Sequence, residues 1–247
     1  MFGQIDWNTY LSKEIVLPVK NGYPIQLVTR AGYLSGLILL LLTFSTTAQQ
    51  LTEDKSKECN EVFKQLQHSK QDTGYVNLCY RYGEFYEGIQ DDTALFWYEQ
   101  AREISRKIGY TDGLIRYYDY KNSVLIIRSE YEQVLRNADT AYRMTVQYGK
   151  KRWQAIQLNR IGTVYQFKTE MRKAADYYLK SYAIAEELKD TLLMNALAGN
   201  LSGVLNEIKD YSKSRYFAAI GYELAEKQHD TLSMGYALVN LATSDEY

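Results

Sequence analysis

The sequence repeats itself every 40 residues through its last two-thirds. Small side chains form one column of the repeat at Ala94, Val134, Ala174 and Ser214, and a second column at Ala101, Ala141, Ser181 and Gly221. The tripeptides 190–192 and 230–232 are identical and stand one period apart. A fixed period of about 20–50 residues is the signature of a stacked array of one supersecondary unit. The period therefore predicts a solenoid, in which neighbouring units bury a continuous core.

Each repeat unit divides into two helical stretches. Within 151–168 and within 171–188, apolar residues occur three or four positions apart, which places them on one face of a helix. The two prolines of the chain, Pro18 and Pro24, both precede the repeats, so proline interrupts no helix there. The pattern predicts an all-α fold of antiparallel helix pairs.

Residues at the expected helix ends agree with this division. Asp190, Asp210 and Asp230 stand where an N-cap carboxylate would accept a hydrogen bond from a backbone amide. Gly109 and Gly149 stand just after helices, at a position that often requires a positive φ. We expect a leading helix at 49–72, units at 73–110, 111–150, 151–190 and 191–230, and a partial unit at 231–247.

With these features the chain resembles the tetratricopeptide repeat family. The family pattern is met in the third unit by Leu158, Ile161, Gly162, Tyr165, Ala174 and Tyr178. The period exceeds the usual length of about 34 residues and is similar to the longer repeats of bacterial sensor and regulator proteins. The resemblance implies a right-handed superhelical solenoid whose first helices line a concave groove.

One strongly apolar run, 31–48, precedes the repeats. Its core from Leu34 to Phe44 is shorter than the roughly 20 residues that a membrane-spanning helix needs. Arg30 precedes the run and small residues end it at Ala48, which is typical of a secretory signal peptide. We expect cleavage after Ala48 and export. The alternatives are an uncleaved membrane anchor at 31–48 and a buried apolar segment in a soluble chain.

Both ends of the chain are expected to differ from those of the natural protein. Residues 1–30 read as an extension that is unstructured or results from a mis-assigned start, since signal peptides begin close to the initiator. Residues 231–247 match only the first helix of a fifth unit. Met234, Leu238 and Leu241 would then lack a partner helix, so we expect a piece of a longer protein.

Motifs for catalysis, metal binding or cofactor binding are missing from the sequence. The net charge is −1, whereas nucleic-acid binders normally show a clustered basic excess. The two histidines, His68 and His229, are far apart, and a metal site normally needs three or four converging ligands. We therefore expect no enzyme activity, no cofactor, no metal and no nucleic-acid partner.

Cys59 and Cys79 are the two cysteines of the chain. In an exported protein an even number of cysteines raises the chance of a disulfide. Two small buried thiols are the alternative, because sequence spacing does not show whether the side chains face each other.

The family resemblance also implies which side chains face the groove. Taking Gly162 as the family's glycine, these are Ile156, Asn159, Thr163 and Gln166 in the third unit, Arg116, Asp119, Ser123 and Ile126 in the second, and Ala196, Gly199, Gly203 and Asn206 in the fourth. Arg116 and Asp119 are expected to neutralise each other in part. The sequence contains 24 tyrosines, and some on the first helices, Tyr86 among them, could face the groove rather than pack in the core.

The predicted binding groove consists of Arg116, Asp119, Asn159, Thr163, Gln166, Asn206 and Tyr86. Side-chain amides offer both donors and an acceptor to an extended backbone. We therefore expect a non-catalytic scaffold that holds an uncharged peptide or partner protein. One alternative is the ligand-sensing part of a bacterial sensor kinase or transcriptional regulator. Another is a spacer repeat with no ligand.

Overall fold

The computed structural model of this protein describes residues 54–245. The repeat array lies in a compact unit that begins at Val62. Residues 54–68 are helical and are named α1. The expectations for the extension 1–30, the apolar run 31–48 and the start of the leading helix concern residues outside the described range.

The described part of the array is an all-α solenoid. Its further helices are α2 (Thr73–Glu84), α3 (Asp91–Lys107), α4 (Thr111–Ile127), α5 (Tyr131–Gln147), α6 (Lys151–Phe167), α7 (Met171–Glu187), α8 (Thr191–Glu207), α9 (Tyr211–Gln228) and α10 (Thr231–Asp245). Each helix packs on the next one along the chain, and α10 also packs on α8. The first helix of a unit thus meets both its own partner and the following first helix.

A left-handed residue follows the helices at intervals of 20 residues, which is half the period. Seven residues with positive φ keep this spacing, Gly109, Ser129, Gly149, Thr169, Lys189, Lys209 and His229, and Gly88 after α2 also has a positive φ. At the end of α7, the Lys189 amide donates to the carbonyl of Glu186, and the Asp190 amide donates to the carbonyl of Ala185. This pair of bonds is the Schellman motif, which satisfies carbonyls at a helix end and reverses the chain. The two glycines were predicted from sequence, and the other positions were not.

Aspartates at the start of three helices confirm the predicted N-caps. The carboxylate of Asp190 accepts from the Leu193 amide, and that of Asp210 accepts from the Lys213 amide. Asp230 accepts from the amide and hydroxyl of Ser233. Each bond satisfies one of the backbone donors that have no partner within the helix.

The two columns of small residues lie at the contacts between helices. Ala94, Ala101, Ala174 and Ser181 are all 0% exposed. The hydroxyl of Ser181 donates to the carbonyl of Ala155 at 2.7 Å, which places α7 directly against the backbone of α6. A larger side chain in either column would separate the two helices.

Apolar residues of α1 and α10 differ in burial. Val62 and Leu66 are buried, while Phe63 is 37% exposed and stacks on the Tyr82 ring. On α10, Leu238 is 52% exposed as expected, but Met234 and Leu241 are only half-buried rather than open to solvent. The helix α10 packs on both α8 and α9.

Within residues 54–245, none of the helices has both the length and the apolar character that crossing a membrane requires.

We predict that Lys189→Gly raises the free energy of unfolding by about 0.5–1 kcal/mol. A left-handed conformation costs a non-glycine residue roughly 1–2 kcal/mol, and the greater freedom of glycine in the unfolded chain offsets part of this gain. Denaturant unfolding of the purified protein measures the change.

The matched control is Glu223→Gly, an exposed position inside α9. Glycine there should lower the free energy of unfolding by about 1 kcal/mol. Equal losses in both variants would contradict the role assigned to the left-handed position.

Candidate functional site

Polar side chains connect the first helices of successive units, and we name these bonds the polar ladder. The hydrogen bonds are Arg116 Nη1 to Asn77 Oδ1 (2.7 Å), Arg160 Nη2 to Asp119 Oδ1 (2.8 Å), Asn200 Nδ2 to Asn159 Oδ1 (3.0 Å) and Asn240 Nδ2 to Ser202 Oγ (2.7 Å). Each bond joins residues about one repeat apart, because the first helices of adjacent units lie side by side. The ladder links α2, α4, α6, α8 and α10.

The prediction that Arg116 partly neutralises Asp119 is wrong, because a different arginine pairs with this carboxylate. Asp119 pairs with Arg160 of the next first helix, and the two side chains are only 20% and 23% exposed. The guanidinium of Arg116 lies over the rings of Tyr80 and Tyr120, 5.4 and 5.7 Å from their centroids. Residues one repeat apart meet directly across the helix contact, so Arg160 reaches the carboxylate from the neighbouring helix.

The predicted groove residues of the third unit share one network. The hydroxyl of Tyr178 donates to Gln166 Oε1 at 2.7 Å and contacts Thr163 Oγ1 at 3.3 Å. Burial raises the pKa of Tyr178, so the hydroxyl keeps its proton and remains a donor at neutral pH. Asn159 accepts from Asn200 within the ladder. Each of these polar side chains therefore already has a hydrogen-bond partner within the protein.

Asn206 and Tyr86 lie in different surroundings. Asn206 Nδ2 donates to the carbonyl of Asn240 at 3.1 Å, which connects α8 to α10. Tyr86 follows α2, and its hydroxyl is 3.0 Å from that of Tyr82. The Tyr82 ring in turn contacts Trp97 edge to face. Tyr86 thus belongs to an aromatic cluster of the first unit.

A cleft of about 370 Å³ lies among α6, α8, α9 and α10, and we name it the α8 cleft. Its lining residues are Gln166, Asn195, Ala196, Gly199, Asn200, Ser202, Gly203, Ala218, Gly221, Ser233, Tyr236, Ala237 and Asn240. All of these side chains are uncharged. Of the positions expected from sequence to face the groove, the cleft contains Gln166, Ala196, Gly199 and Gly203.

The cleft exists because one face of α8 carries almost no side chains. A Cβ atom added to Gly199 or Gly203 would meet nothing within 4 Å. One period earlier, the same positions hold Asn159 and Thr163. Replacing these polar side chains by hydrogen leaves open space between α8 and its neighbours.

The rim of the cleft combines an aromatic ring with free amide atoms. Tyr236 is 62% exposed. The ladder engages Asn200 Nδ2 and Asn240 Nδ2, and Tyr178 engages Gln166 Oε1. Within residues 54–245, the Gln166 Nε2 donor and the Oδ1 acceptors of Asn200 and Asn240 make no hydrogen bond. All three atoms belong to half-buried side chains that line the cleft.

The opposite end of the array has a different character. The Tyr98 hydroxyl donates to Glu87 Oε1 at 2.5 Å. Burial raises the pKa of Glu87 and that of Glu84. A larger depression of about 500 Å³ is lined by residues between Ser69 and Arg81 alone, so it lies beside one helix and not between helices.

Several residues of the cleft and ladder were not predicted from sequence: Asn77, Asn195, Asn200, Ser202, Tyr236 and Asn240. The sequence contains a signal for two of them, Asn200 and Asn240. Arg160, Asn200 and Asn240 form a column of hydrogen-bond donors at the 40-residue period.

The cysteines and possible metal ligands add no second site. The structure contains free thiols at both cysteines, and the alternative of two buried thiols holds only for Cys79, which is 0% exposed, because Cys59 is half-buried. Burial raises the pKa of Cys79 to about 12. Within residues 54–245, no group of three His, Cys, Asp or Glu side chains is arranged to hold a metal ion.

Comparison with solved structures identifies the fold. Aspartyl phosphate phosphatase F from Bacillus subtilis is 15% identical with a TM-score of 0.66, over 83% of this chain and 59% of that protein. A Rap protein complexed with competence and sporulation factor is 14% identical with a TM-score of 0.67, over 81% and 61%. A signal-transduction ATPase with a tetratricopeptide repeat sensor, from Pyrococcus horikoshii, is 15% identical with a TM-score of 0.58, over 75% and 30%.

The fold is that of tetratricopeptide-like helical repeats. Neither a protein-family model nor a curated protein matches the sequence. At these identities the likeness concerns the fold alone, and the chain spans less than two thirds of the first of these similar proteins.

We predict opposite effects of alanine at two glycines of equivalent helices. In Gly162→Ala the new Cβ would lie 2.6 Å from the Tyr178 ring, so overpacking should cost about 1–3 kcal/mol of stability. In Gly203→Ala the new methyl meets open space, and the better helix propensity of alanine should add up to about 1 kcal/mol. Thermal and denaturant unfolding compare the two variants. A stabilised Gly162→Ala would refute the packing described here.

Proposed function

We propose that the repeat array is a non-catalytic scaffold that binds an uncharged peptide, or an extended segment of a partner protein, in the α8 cleft. The observation that supports this proposal most directly is a cleft between four helices whose lining side chains are all uncharged. Burying an unpaired charge there would be costly, since nothing in the lining compensates it. A neutral, amide-bearing ligand fits this lining.

The polar ladder supports this function by holding the cleft in shape. Asn200 and Asn240 bond to residues of the neighbouring helices, so their side chains are oriented before a ligand arrives. A preorganised site loses less conformational entropy on binding. The affinity should depend weakly on salt, because screening acts on charges.

A second candidate function is ligand sensing within a longer signalling protein. One structure of similar fold contains a Rap protein with a bound factor, and another contains a tetratricopeptide repeat sensor within an ATPase. In this role the cleft would bind the signal, and an effector outside this chain would respond. The sequence of the parent gene beyond Tyr247 distinguishes a sensor from a free-standing scaffold.

We predict that Gly203→Leu abolishes peptide binding. Leucine would project into the open space of the cleft and occupy the volume that a ligand needs. Binding is measured on an array of synthetic nine-residue peptides of uncharged, acidic and basic composition. The wild-type protein should bind members of the uncharged set.

The matched control is Gly235→Leu. Gly235 is also a helical glycine whose Cβ would meet nothing within 4 Å, but it does not line the cleft. This variant should bind as the wild type does. Equal binding by Gly203→Leu and the wild type would place the binding surface elsewhere.

We also infer export, which rests on the apolar run 31–48 and the small residues that end it. The expected mature N-terminus is Gln49, detected by mass spectrometry of the protein expressed from its own gene. A product that retains 31–48 in the membrane fraction would instead indicate an anchor. A cytoplasmic product that begins at Met1 would refute export.

A further inference from the structure

We infer that the α8 cleft is an anchor pocket for one bulky uncharged side chain, aromatic or large aliphatic, of an extended peptide. The side chain would lie on Gly199 and Gly203 and pack against the Tyr236 ring. This inference rests on the proposed function, because it specifies which uncharged peptides the same cleft selects.

The available space defines the size of the anchor. Gly199 and Gly203 are one helical turn apart, and the space above both is open. The cleft volume of about 370 Å³ lies at the small end of the roughly 300–1,000 Å³ range of ligand pockets. One large side chain with its adjoining peptide groups fits such a volume. Small side chains would leave most of it unfilled.

The apolar part of the lining favours a hydrophobic anchor. Ala218 and Ala237 contribute buried methyl groups, and Ala196 contributes an exposed one. The Tyr236 ring is 62% exposed and can stack on another ring or cover an aliphatic chain. Burial of a large apolar side chain on these surfaces provides the binding energy.

The polar rim fixes the backbone on either side of the anchor. The Gln166 Nε2 donor comes from α6, while the acceptors Asn200 Oδ1 and Asn240 Oδ1 come from α8 and α10. An extended residue presents one carbonyl acceptor and one amide donor. The leftover donor and acceptors of the rim therefore match the backbone that flanks the anchor.

The test uses the full-length protein and one host peptide of nine uncharged polar residues with a single central guest. The guests are Ala, Leu, Phe, Asp and Lys, and fluorescence anisotropy measures the dissociation constants. We expect Phe and Leu to bind at least about tenfold more tightly than Ala, as burial of a large apolar side chain predicts. Asp and Lys should bind no better than Ala.

A double variant and its control show whether the preference for a bulky guest side chain arises at Gly199 and Gly203. The double substitution Gly199→Ala and Gly203→Ala makes the pocket shallower and should reduce the preference for Phe over Ala several-fold. Gly235→Ala is the matched control and should retain the full preference. Circular dichroism and thermal unfolding confirm that all variants are folded.

The outcomes separate this inference from the proposed function. If the uncharged peptides bind with equal affinity whatever the guest, the anchor pocket is refuted and the proposed scaffold stands. If Asp or Lys binds most tightly, the anchor pocket is refuted too. If none of the peptides binds, both are refuted. An unchanged Phe preference in the double variant would also overturn the assignment to Gly199 and Gly203.

Discussion

The whole array depends on the close approach of helices where facing side chains are small. Gly162 shows how close this approach is, because the Tyr178 ring occupies the space that any Cβ would need. Ala174 and Ser181, seven residues apart on α7, are both 0% exposed. Since these positions recur at each period, every unit meets the next in the same way, and the repeat of the sequence becomes a repeat of the structure.

Small residues on a helix face have a different consequence on α8. A Cβ at Gly162 would meet the Tyr178 ring, whereas a Cβ at Gly199 or Gly203 would meet nothing within 4 Å. Glycine lowers helix stability by about 1 kcal/mol relative to alanine, so the pair weakens α8 although an alanine methyl would have room at either position. Open space next to a polar rim is the feature that a binding site requires, and this makes the pair functional in our interpretation.

Sequence alone predicted the helix pairs, because the small columns and the apolar spacing repeat without interruption. It predicted positive φ at Gly109 and Gly149 but missed it at Lys189, since lysine has no preference for that conformation. For the site, the family register placed Gln166 on the cleft. The spacing of three residues on one helix face paired Asp119 with Arg116, but the carboxylate bonds to Arg160 of the neighbouring helix, which spacing within one helix does not show.

The polar ladder connects the fold to the proposed binding. Three of the four rungs involve a side-chain amide, and the fourth joins Arg160 to Asp119. Where a rung uses one group of an amide, the other group of that amide remains in a fixed direction. Asn200 and Asn240 both donate through Nδ2 and are left with Oδ1, and Gln166 accepts through Oε1 and is left with Nε2. A free amide would adapt to donors and acceptors alike. In the proposed binding, the packing of the units decides which hydrogen-bonding group a ligand meets, so the proposed specificity of the cleft follows from the contacts that build the solenoid.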